Sequence, residues 1–327
     1  MNKVRLDYID ILKGIGILFV IFSHSGAEDW FMSHFGDFFV PLFFIASGYT
    51  FGNKDQSFLP FFLKRAKRLL VPYAFFSILL LLLYQRFTST DLLGVLYSRY
   101  CLYPYDSPQN IFLMGGGNPP LWFLTSMLTA FIPFWLLLRF PKYQYWLFGV
   151  FVIYTIVCEY LPILLPWSLD TACLTGSLMY AGYLMRRHEA QLFKRPYLGD
   201  ALLLVSFVVV CYLNGSDNLS VREYGHSFLL YYIICILGTW FLLRISKRLE
   251  NTFASGFLMK LGQHSLVIFC IQMFILRICH QVFHSFMHFP TEGWMFYGIT
   301  FVKILIVAVA GMCVSMLMKR YLPWLLK

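Results

Sequence analysis

The chain has 327 residues and a formal net charge of +10, and 59% of its residues are hydrophobic, 20% aromatic and 13% charged. Because a soluble domain contains roughly 25% charged residues, this composition excludes an ordinary water-soluble protein, and the high apolar content excludes a disordered chain. The composition therefore predicts an all-α protein, a polytopic transmembrane helical bundle that forms a single domain over residues 1–327.

The eight cysteines form no CxxC pair and no Cys/His cluster at metal-ligand spacing, so no metal is expected. The positive charge is distributed among the loops, so no nucleic-acid partner is expected either. A bilayer core of roughly 30 Å needs about 20 apolar residues per helix, which predicts about ten spans in contact with the lipid bilayer. Their predicted cores are residues 8–26, 35–52, 69–86, 119–138, 145–164, 169–185, 198–214, 225–243, 264–283 and 294–318.

Basic residues predict the orientation of the spans, because Lys and Arg are retained in short cytoplasmic loops. One set of alternate connections carries nearly all of them. These residues are Lys3, Arg5, Lys54, Lys64, Arg65, Lys67, Arg68, Arg139, Lys142, Arg186, Arg187, Lys194, Arg195, Arg244, Lys247, Arg248, Lys260, Lys319, Arg320 and Lys327. The opposite connections carry Arg99 and Arg222, with Arg86 at a border. Both termini are therefore predicted to be cytoplasmic, and residues 87–118 to form a long external connection over an external site.

The first span contains three ionisable residues, Asp10, Lys13 and His24. At 100° per residue, His24 lies about 20° from Lys13 and about 40° from Asp10, so all three share one helical face. Lys13 lies towards the cytoplasm, and His24 lies about 16 Å further along the axis, towards the outside. An Asp10–Lys13 pair would leave His24 as the free titratable group. The alternative is a histidine that is only hydrogen-bonded at the membrane interface.

The third span begins with a basic cluster, Lys64, Arg65 and Arg68. Three cations at the cytoplasmic mouth of a helix can bind a phosphorylated ligand. The same cluster also satisfies the orientation rule and can bind anionic lipid heads.

Three further candidates lie in the middle of the chain. Ser47 precedes Gly48 in the second span, where small residues let helices or a ligand approach closely. Trp122 opens the fourth span, with an interfacial belt position as the alternative. Asp170 begins the sixth span, where it can equally be a helix cap. Four more polar residues lie in the last two spans, and Lys303 has the alternative of simply lying within a long, tilted helix. They are Gln272, Arg277, His280 and Lys303.

Taken in order, these segments resemble the acyltransferase-3 family of integral membrane acyltransferases, most closely its fucose 4-O-acetylase-like branch. The resemblance covers nearly the whole chain. It rests on DILKGIGILFVIFSH, PLFFIASGY, KRAKRLLVPY, LWFL, PWSLDTA through GYLMRR, and LGQHSLVIFCIQ.

The resemblance implies a membrane-bound O-acyltransferase of the cytoplasmic (inner) membrane that modifies polysaccharide. It would move an acyl group, usually acetyl, from cytoplasmic acyl-CoA to a hydroxyl of an outward-facing carbohydrate or glycolipid acceptor. The family pattern of a basic residue, ten residues and a histidine matches Lys13 and His24, although many relatives have arginine at the first position. The family's basic motif matches Lys64, Arg65 and Arg68 as partners of the CoA phosphates. Relatives often have asparagine and histidine where this chain has His264 and Gln272.

On this resemblance, acetyl-CoA is the donor substrate and His24 is the general base that deprotonates the acceptor hydroxyl, with Asp10 supporting Lys13. An acyl-histidine intermediate stays an open variant. Ser47 and Trp122 are candidate oxyanion donors, and with Asp170 they form the predicted substrate-binding set. A membrane transporter or lipid flippase is the alternative function; it would be expected to show inverted repeats or broken helices. The sequence leaves monomer and homo-oligomer open.

Overall fold

The computed structural model describes residues 5–26, 34, 37–52, 57–104, 111–113, 119–193, 197–289 and 293–326. In these segments the regular structure is helical, with two isolated β-bridges, Cys101–Phe112 and Asn218–Glu223. The all-helical prediction is therefore confirmed. Several predicted features lie outside the described residues. They are Lys3, Lys54, Lys194, Arg195 and Lys327, and residues 105–110 and 114–118 of the predicted external connection.

Eleven helices of nine residues or more are described, and we number them in chain order. They are α1 Asp7–Phe22, α2 Phe39–Tyr49, α3 Phe58–Tyr84, α4 Ser89–Tyr97, α5 Trp122–Arg139, α6 Gln144–Glu159, α7 Ala172–Arg187, α8 Leu198–Asn214, α9 Phe228–Leu249, α10 Ser255–His280 and α11 Gly293–Tyr321. Each of the ten predicted span cores overlaps one of these helices; α4 is the additional one.

Five of the described helices are long and apolar enough to cross a membrane. They are Phe58–Tyr84, Trp122–Arg139, Phe228–Leu249, Ser255–Phe286 and Gly293–Tyr321. The last-but-one combines α10 with a π-helical turn, Gln281–Phe286, that continues it. The number of ten crossings and the cytoplasmic placement of both termini stay predictions.

Local signals explain several of the helix ends. The side chain of Thr88 and that of Asp91 each bond the other's backbone N–H, a capping box that starts α4. At the end of α3, Gln85 adopts a left-handed conformation with φ of 53°, which stops the helix. Leu198 is the first residue of α8, and Asn214, its last, is followed by Gly215 with φ of 74°.

Helix α1 lies at the centre of the bundle and packs against α2, α9, α10 and α11. Its crossing with α10 is close because glycine lies on both sides. A Cβ atom on Gly14 would lie 2.1 Å from the Leu258 carbonyl oxygen, and one on Gly262 would lie 1.8 Å from the Asp10 carbonyl oxygen. Backbones can approach this closely only without side chains between them. The glycines therefore fix the position of α1, and with it everything that α1 carries.

A second glycine pair joins α2 to α7. A Cβ on Gly48 would lie 1.7 Å from the Met179 carbonyl oxygen, and one on Gly182 would lie 2.0 Å from the Ile45 carbonyl oxygen. The prediction that small residues in the second span allow close approach is thus confirmed for helix packing.

Candidate active site

His24 lies just beyond the end of α1, so the predicted continuous helix through this residue is wrong by two residues. The backbone N–H of His24 donates to the Ile21 carbonyl at 3.3 Å, and that of Ser25 donates to the Phe22 carbonyl at 2.9 Å. Gly26 follows with φ of 85°, which turns the chain away from the helix. We call residues 23–26 the His24 turn. His24 keeps solvent-accessible surface whereas Ser25 is buried, and the protein around the imidazole partly desolvates it.

Asp10 and Lys13 lie on α1, towards its N-terminal end. Asp10 is buried, and its Oδ2 accepts from Arg5 Nε at 2.5 Å and from Gln263 Nε2 at 3.5 Å. Lys13 is half-buried. Asp10 thus forms an ion pair with Arg5, to which the sequence analysis assigned only an orientation role. The i,i+3 rule that suggested an Asp10–Lys13 pair applies to residues within one helix. Arg5 precedes the first residue of α1, so that rule could not identify it as a partner.

The basic cluster of α3 divides into two environments. Lys64 and Arg68 are exposed, while Arg65 is half-buried. The Arg65 guanidinium lies over three phenyl rings and donates from Nη1 to the Phe61 carbonyl at 2.9 Å. The rings, with the distance from the guanidinium carbon to each centroid, are Phe61 at 3.8 Å, Phe131 at 4.9 Å and Phe51 at 5.4 Å. Such cation–π contacts hold an arginine against the helix bundle. Two of the three predicted phosphate partners are therefore open, and the third packs on an aromatic surface.

Ser47 and Trp122 occupy different environments. Ser47 is half-buried on α2. Trp122 is the first residue of α5 and is 6% exposed, which excludes the alternative of a belt residue facing lipid. Its ring packs edge-on against Phe123 at a centroid distance of 6.4 Å. In the described part of the chain, no hydrogen bond joins either residue to His24. Their substrate roles stay predictions.

Asp170 lies in a 3₁₀ turn, Pro166–Thr171, and is completely buried. It does not cap α7; its Oδ2 accepts instead from the Leu165 backbone N–H at 3.2 Å. Arg99 Nη2 pairs with Oδ1, and Arg222 Nη1 lies 3.4 Å from Oδ2. We call these three residues the Asp170 cluster. Its substrate role stays a prediction, but the geometry is that of a closed ion-pair cluster.

The remaining guanidinium donors of the Asp170 cluster bind backbone carbonyls. Arg99 donates to Leu165 at 3.0 Å and to Ser220 at 2.8 Å. Arg222 donates to Leu161 at 2.6 Å and to Ile163 at 3.1 Å. Arg99 and Arg222 are the two exceptions to the orientation rule, and both are neutralised or satisfied within the protein. They join the segment after α4, the turn before α7 and the loop before α9.

A second polar network lies where the start of α1 meets the ends of α2, α7 and α9. The Tyr8 hydroxyl donates to Glu189 Oε1 at 2.8 Å and accepts from Arg186 Nη1 at 3.0 Å. Lys247 Nζ lies 3.3 Å from the same Glu189 oxygen, and Arg186 also pairs with Glu189. These groups border an open pocket. Its lining residues are Arg186, Arg187, Glu189, Ala190, Phe193 and Lys247.

Sequence reasoning gave Arg186 and Lys247 only an orientation role. The single local signal for this network was the i,i+3 spacing of Arg186 and Glu189. The network places two cations, Arg186 and Lys247, around the Glu189 carboxylate at the N-terminal end of α1.

Comparison with known proteins gives one positive result. A family model described as "Acyltransferase domain" matches residues 6–320. No curated protein and no solved structure matches the chain. The matched range contains α1 to α11 almost entirely, and with it every candidate site residue described above.

Proposed function

We propose that this chain, which belongs to the acyltransferase family whose model spans residues 6–320, is a membrane O-acyltransferase that uses cytoplasmic acetyl-CoA. The family match and the five long apolar helices make it a multi-pass membrane protein of an acyl-transferring family. Beyond this, the proposal is that an acetyl group passes to a hydroxyl of an outward-facing carbohydrate or lipid-linked glycan. The cytoplasmic (inner) membrane and the fucose 4-O-acetylase-like branch are part of the same proposal.

The family match is the observation that carries the proposal, and the contrast between the two ends of α1 supports it. The N-terminal end of α1 lies among Arg5, Arg186 and Lys247, and the basic start of α3 is predicted to face the same side. The C-terminal end carries the exposed imidazole of His24. A long, phosphorylated donor suits this arrangement: its charged part binds at the basic side while its acyl group reaches the histidine.

His24 has the chemistry of a general base in this reaction. The neutral imidazole takes the proton of the acceptor hydroxyl while the hydroxyl oxygen forms a bond to the thioester carbonyl carbon. The tetrahedral intermediate then collapses, the carbon–sulfur bond breaks, and the CoA sulfur leaves with the proton returned by the imidazolium. Histidine suits both steps because its imidazole can accept a proton and then return it. Ser47 and Trp122 are proposed as donors to the oxyanion.

Lys64 and Arg68 are the proposed partners of the CoA phosphates. Both are exposed, and both lie on the same turn of α3 at i,i+4 spacing. Arginine and lysine bind phosphate through charge-assisted hydrogen bonds. Arg65 contributes positive charge from its aromatic environment and supports the local shape of the cluster.

Transfer of label from acetyl-CoA by the purified protein in lipid vesicles tests the proposed function. We expect the wild-type protein to release CoA and to place the label on an added glycan or on water. Absence of turnover together with absence of any thermal stabilisation by millimolar CoA would contradict the proposal, because a ligand of the native state raises the apparent stability.

The donor site is tested with a double variant, Lys64→Gln with Arg68→Gln. Loss of two charge-assisted contacts should raise the KM for acetyl-CoA by about 10- to 100-fold with little change in kcat. Lys67→Gln is the matched control, since Lys67 is an exposed cation of the same helix turn. Equal KM values for the double variant and the control would remove the phosphate role from these residues.

A further inference from the structure

Lys303 is a cation buried in the middle of α11 and is 1% exposed. Its sequence neighbours, FVKILIVAV, are apolar. A charge at such a position costs at least a few kcal/mol, so its presence calls for specific partners. Lys303 does lie within a long helix of 29 residues, as the sequence alternative holds, and its side chain is buried in the protein.

One partner of Lys303 is the His24 turn. Lys303 Nζ donates to the Ser25 carbonyl oxygen at 3.1 Å. Ser25 directly follows His24, and its carbonyl lies just past the end of α1, where backbone carbonyls lack partners within the helix. The negative end of the α1 dipole also favours a cation at this point. The contact therefore ties the turn that carries His24 to a helix almost 280 residues later in the chain.

The position of Lys303 is itself set by His284. The π-helical turn Gln281–Phe286 carries His284, whose Nε2 lies 3.5 Å from Lys303 Nζ. His284 Nδ1 lies 3.1 Å from the Phe289 carbonyl oxygen. Because a carbonyl can only accept, Nδ1 carries the proton, and Nε2 of the neutral ring is then free to accept from the ammonium group. The Phe296 ring lies 5.4 Å from Nζ and adds a cation–π contact.

A continuous series of polar contacts thus runs from the Phe289 carbonyl through His284 and Lys303 to the Ser25 carbonyl. In the described residues, the other hydrogen bonds of the His24 turn are short-range and all go to α1 carbonyls, those of Phe19, Val20, Ile21 and Phe22. They fix the local shape of the turn but do not fix its direction relative to α10 and α11. The contact to Lys303 supplies that direction.

We propose that Lys303 is a positioning residue for His24: it holds the Ser25 carbonyl and thereby directs the imidazole towards the acceptor hydroxyl. The proposal rests on the base role of His24 for its kinetic consequence, but the structural tie can be measured without any activity. Lys303 touches neither donor nor acceptor in this account. It acts through the turn alone.

The test compares Lys303→Met, which keeps the apolar stem and removes the donor, with Lys303→Arg, which keeps a charged donor. Lys260→Met is the control, because Lys260 is an exposed lysine of α10. We expect Lys303→Met to lower kcat at least tenfold while the KM for acetyl-CoA changes less than twofold. Lys303→Arg should recover at least a third of the wild-type kcat, a rescue that a purely packing role would not produce.

A second readout follows the turn directly. Modification of His24 by diethyl pyrocarbonate, resolved by peptide mass spectrometry without substrate, should differ at least twofold between Lys303→Met and wild type. The rate at His188, which is exposed at the end of α7, should stay the same. If Lys303→Met does not fold, His284→Phe, which removes the acceptor that places the ammonium group, should change both readouts in the same direction.

The two readouts separate the inference from the proposed function. Unchanged kcat and unchanged His24 modification in a folded Lys303→Met protein would overturn the positioning role, whatever the reaction. An inactive wild type would count against the proposed function, and a changed modification rate would still support the tie between Lys303 and the His24 turn.

Discussion

The Asp170 cluster and the His24 turn both depend on buried cations, yet they differ in what they leave open. In the Asp170 cluster the carboxylate is fully buried and pairs with two arginines. The same two arginines also donate hydrogen bonds to four backbone carbonyls. At the His24 turn the buried Lys303 donates to a backbone carbonyl, and the neighbouring His24 keeps accessible surface. A saturated cluster stabilises the fold, whereas an exposed group on a held turn is available for chemistry. Buried charge alone therefore does not identify a reactive site.

Asp170→Asn should give the largest effect on stability. Removal of one member of a buried ion pair leaves uncompensated charge, here two arginines, and typically costs about 3–5 kcal/mol in the free energy of unfolding. Chemical denaturation in detergent micelles measures the change. Asp7→Asn is the control, since Asp7 is an exposed carboxylate on α1, and its effect should be far smaller.

Wild-type stability of the variant would contradict a purely structural role for the Asp170 cluster. An Asp170→Asn protein with wild-type stability but without turnover would give Asp170 the substrate role predicted from the sequence.

Gly262→Ala should give an intermediate effect, because it displaces the helix that carries the His24 turn. The added Cβ would lie 1.8 Å from the Asp10 carbonyl oxygen, so α1 and α10 must move apart. Overpacking of this kind costs about 1–3 kcal/mol, and we expect a lower melting temperature together with a lower kcat.

Gly256→Ala is the matched control for that prediction. Gly256 lies in the first turn of α10, and a Cβ there has no neighbour within 4 Å. The control should be neutral or slightly stabilising, since alanine favours a helix. Equal melting temperatures for the two variants would show that the close crossing does not fix α1.

Asp217→Asn should give the smallest effect. Asp217 is a buried carboxyl in the loop after α8, and among the described residues it forms no ion pair with an arginine, unlike Asp170. Its Oδ1 accepts from the Asp37 backbone N–H at 2.6 Å, and burial raises its pKa to about 7. The folded protein is most stable at a pH where this carboxyl is protonated in both the folded and the unfolded chain. As the pH rises towards 7, the carboxyl ionises more readily in the unfolded chain, and the free energy of unfolding falls.

Asparagine cannot titrate, so this loss should be absent in the variant. We expect melting temperatures of wild type and Asp217→Asn to be similar near pH 4 and to diverge as the pH rises towards 8, with the variant more stable by on the order of 1 kcal/mol. A pH-independent difference would show that the Asp217 carboxyl does not titrate in this range.

Much of the fold could be predicted from the sequence, because apolar length and helical periodicity are local properties. Every predicted span core overlaps a described helix, and the Gly48 signal for close packing was correct. The end of α1 was placed too late, since the predicted core ran on to residue 26, whereas the apolar run and the helix both end at Phe22, before Ser23, His24 and Ser25.

The site was less predictable because its partners are distant in sequence. Arg99 and Arg222 were noted as exceptions to the orientation rule, but only the fold brings both to Asp170. Lys303 was noted as a polar residue in a span, but nothing local links it to Ser25. Arg65 was grouped with Lys64 and Arg68 by helix spacing. Its aromatic environment differs from theirs because the rings of Phe51 and Phe131 come from other segments of the chain.

Turnover of acetyl-CoA by His24→Gln in lipid vesicles, set against wild type, tests the central claim most directly. Loss of a general base should lower kcat by about 10²- to 10⁴-fold, while the thermal stabilisation by CoA and the melting temperature without ligand stay at wild-type values. His188→Gln, at an exposed histidine that follows the last residue of α7, should behave as wild type. A folded His24→Gln protein with wild-type kcat would contradict the account, because the His24 turn would then have no part in acyl transfer.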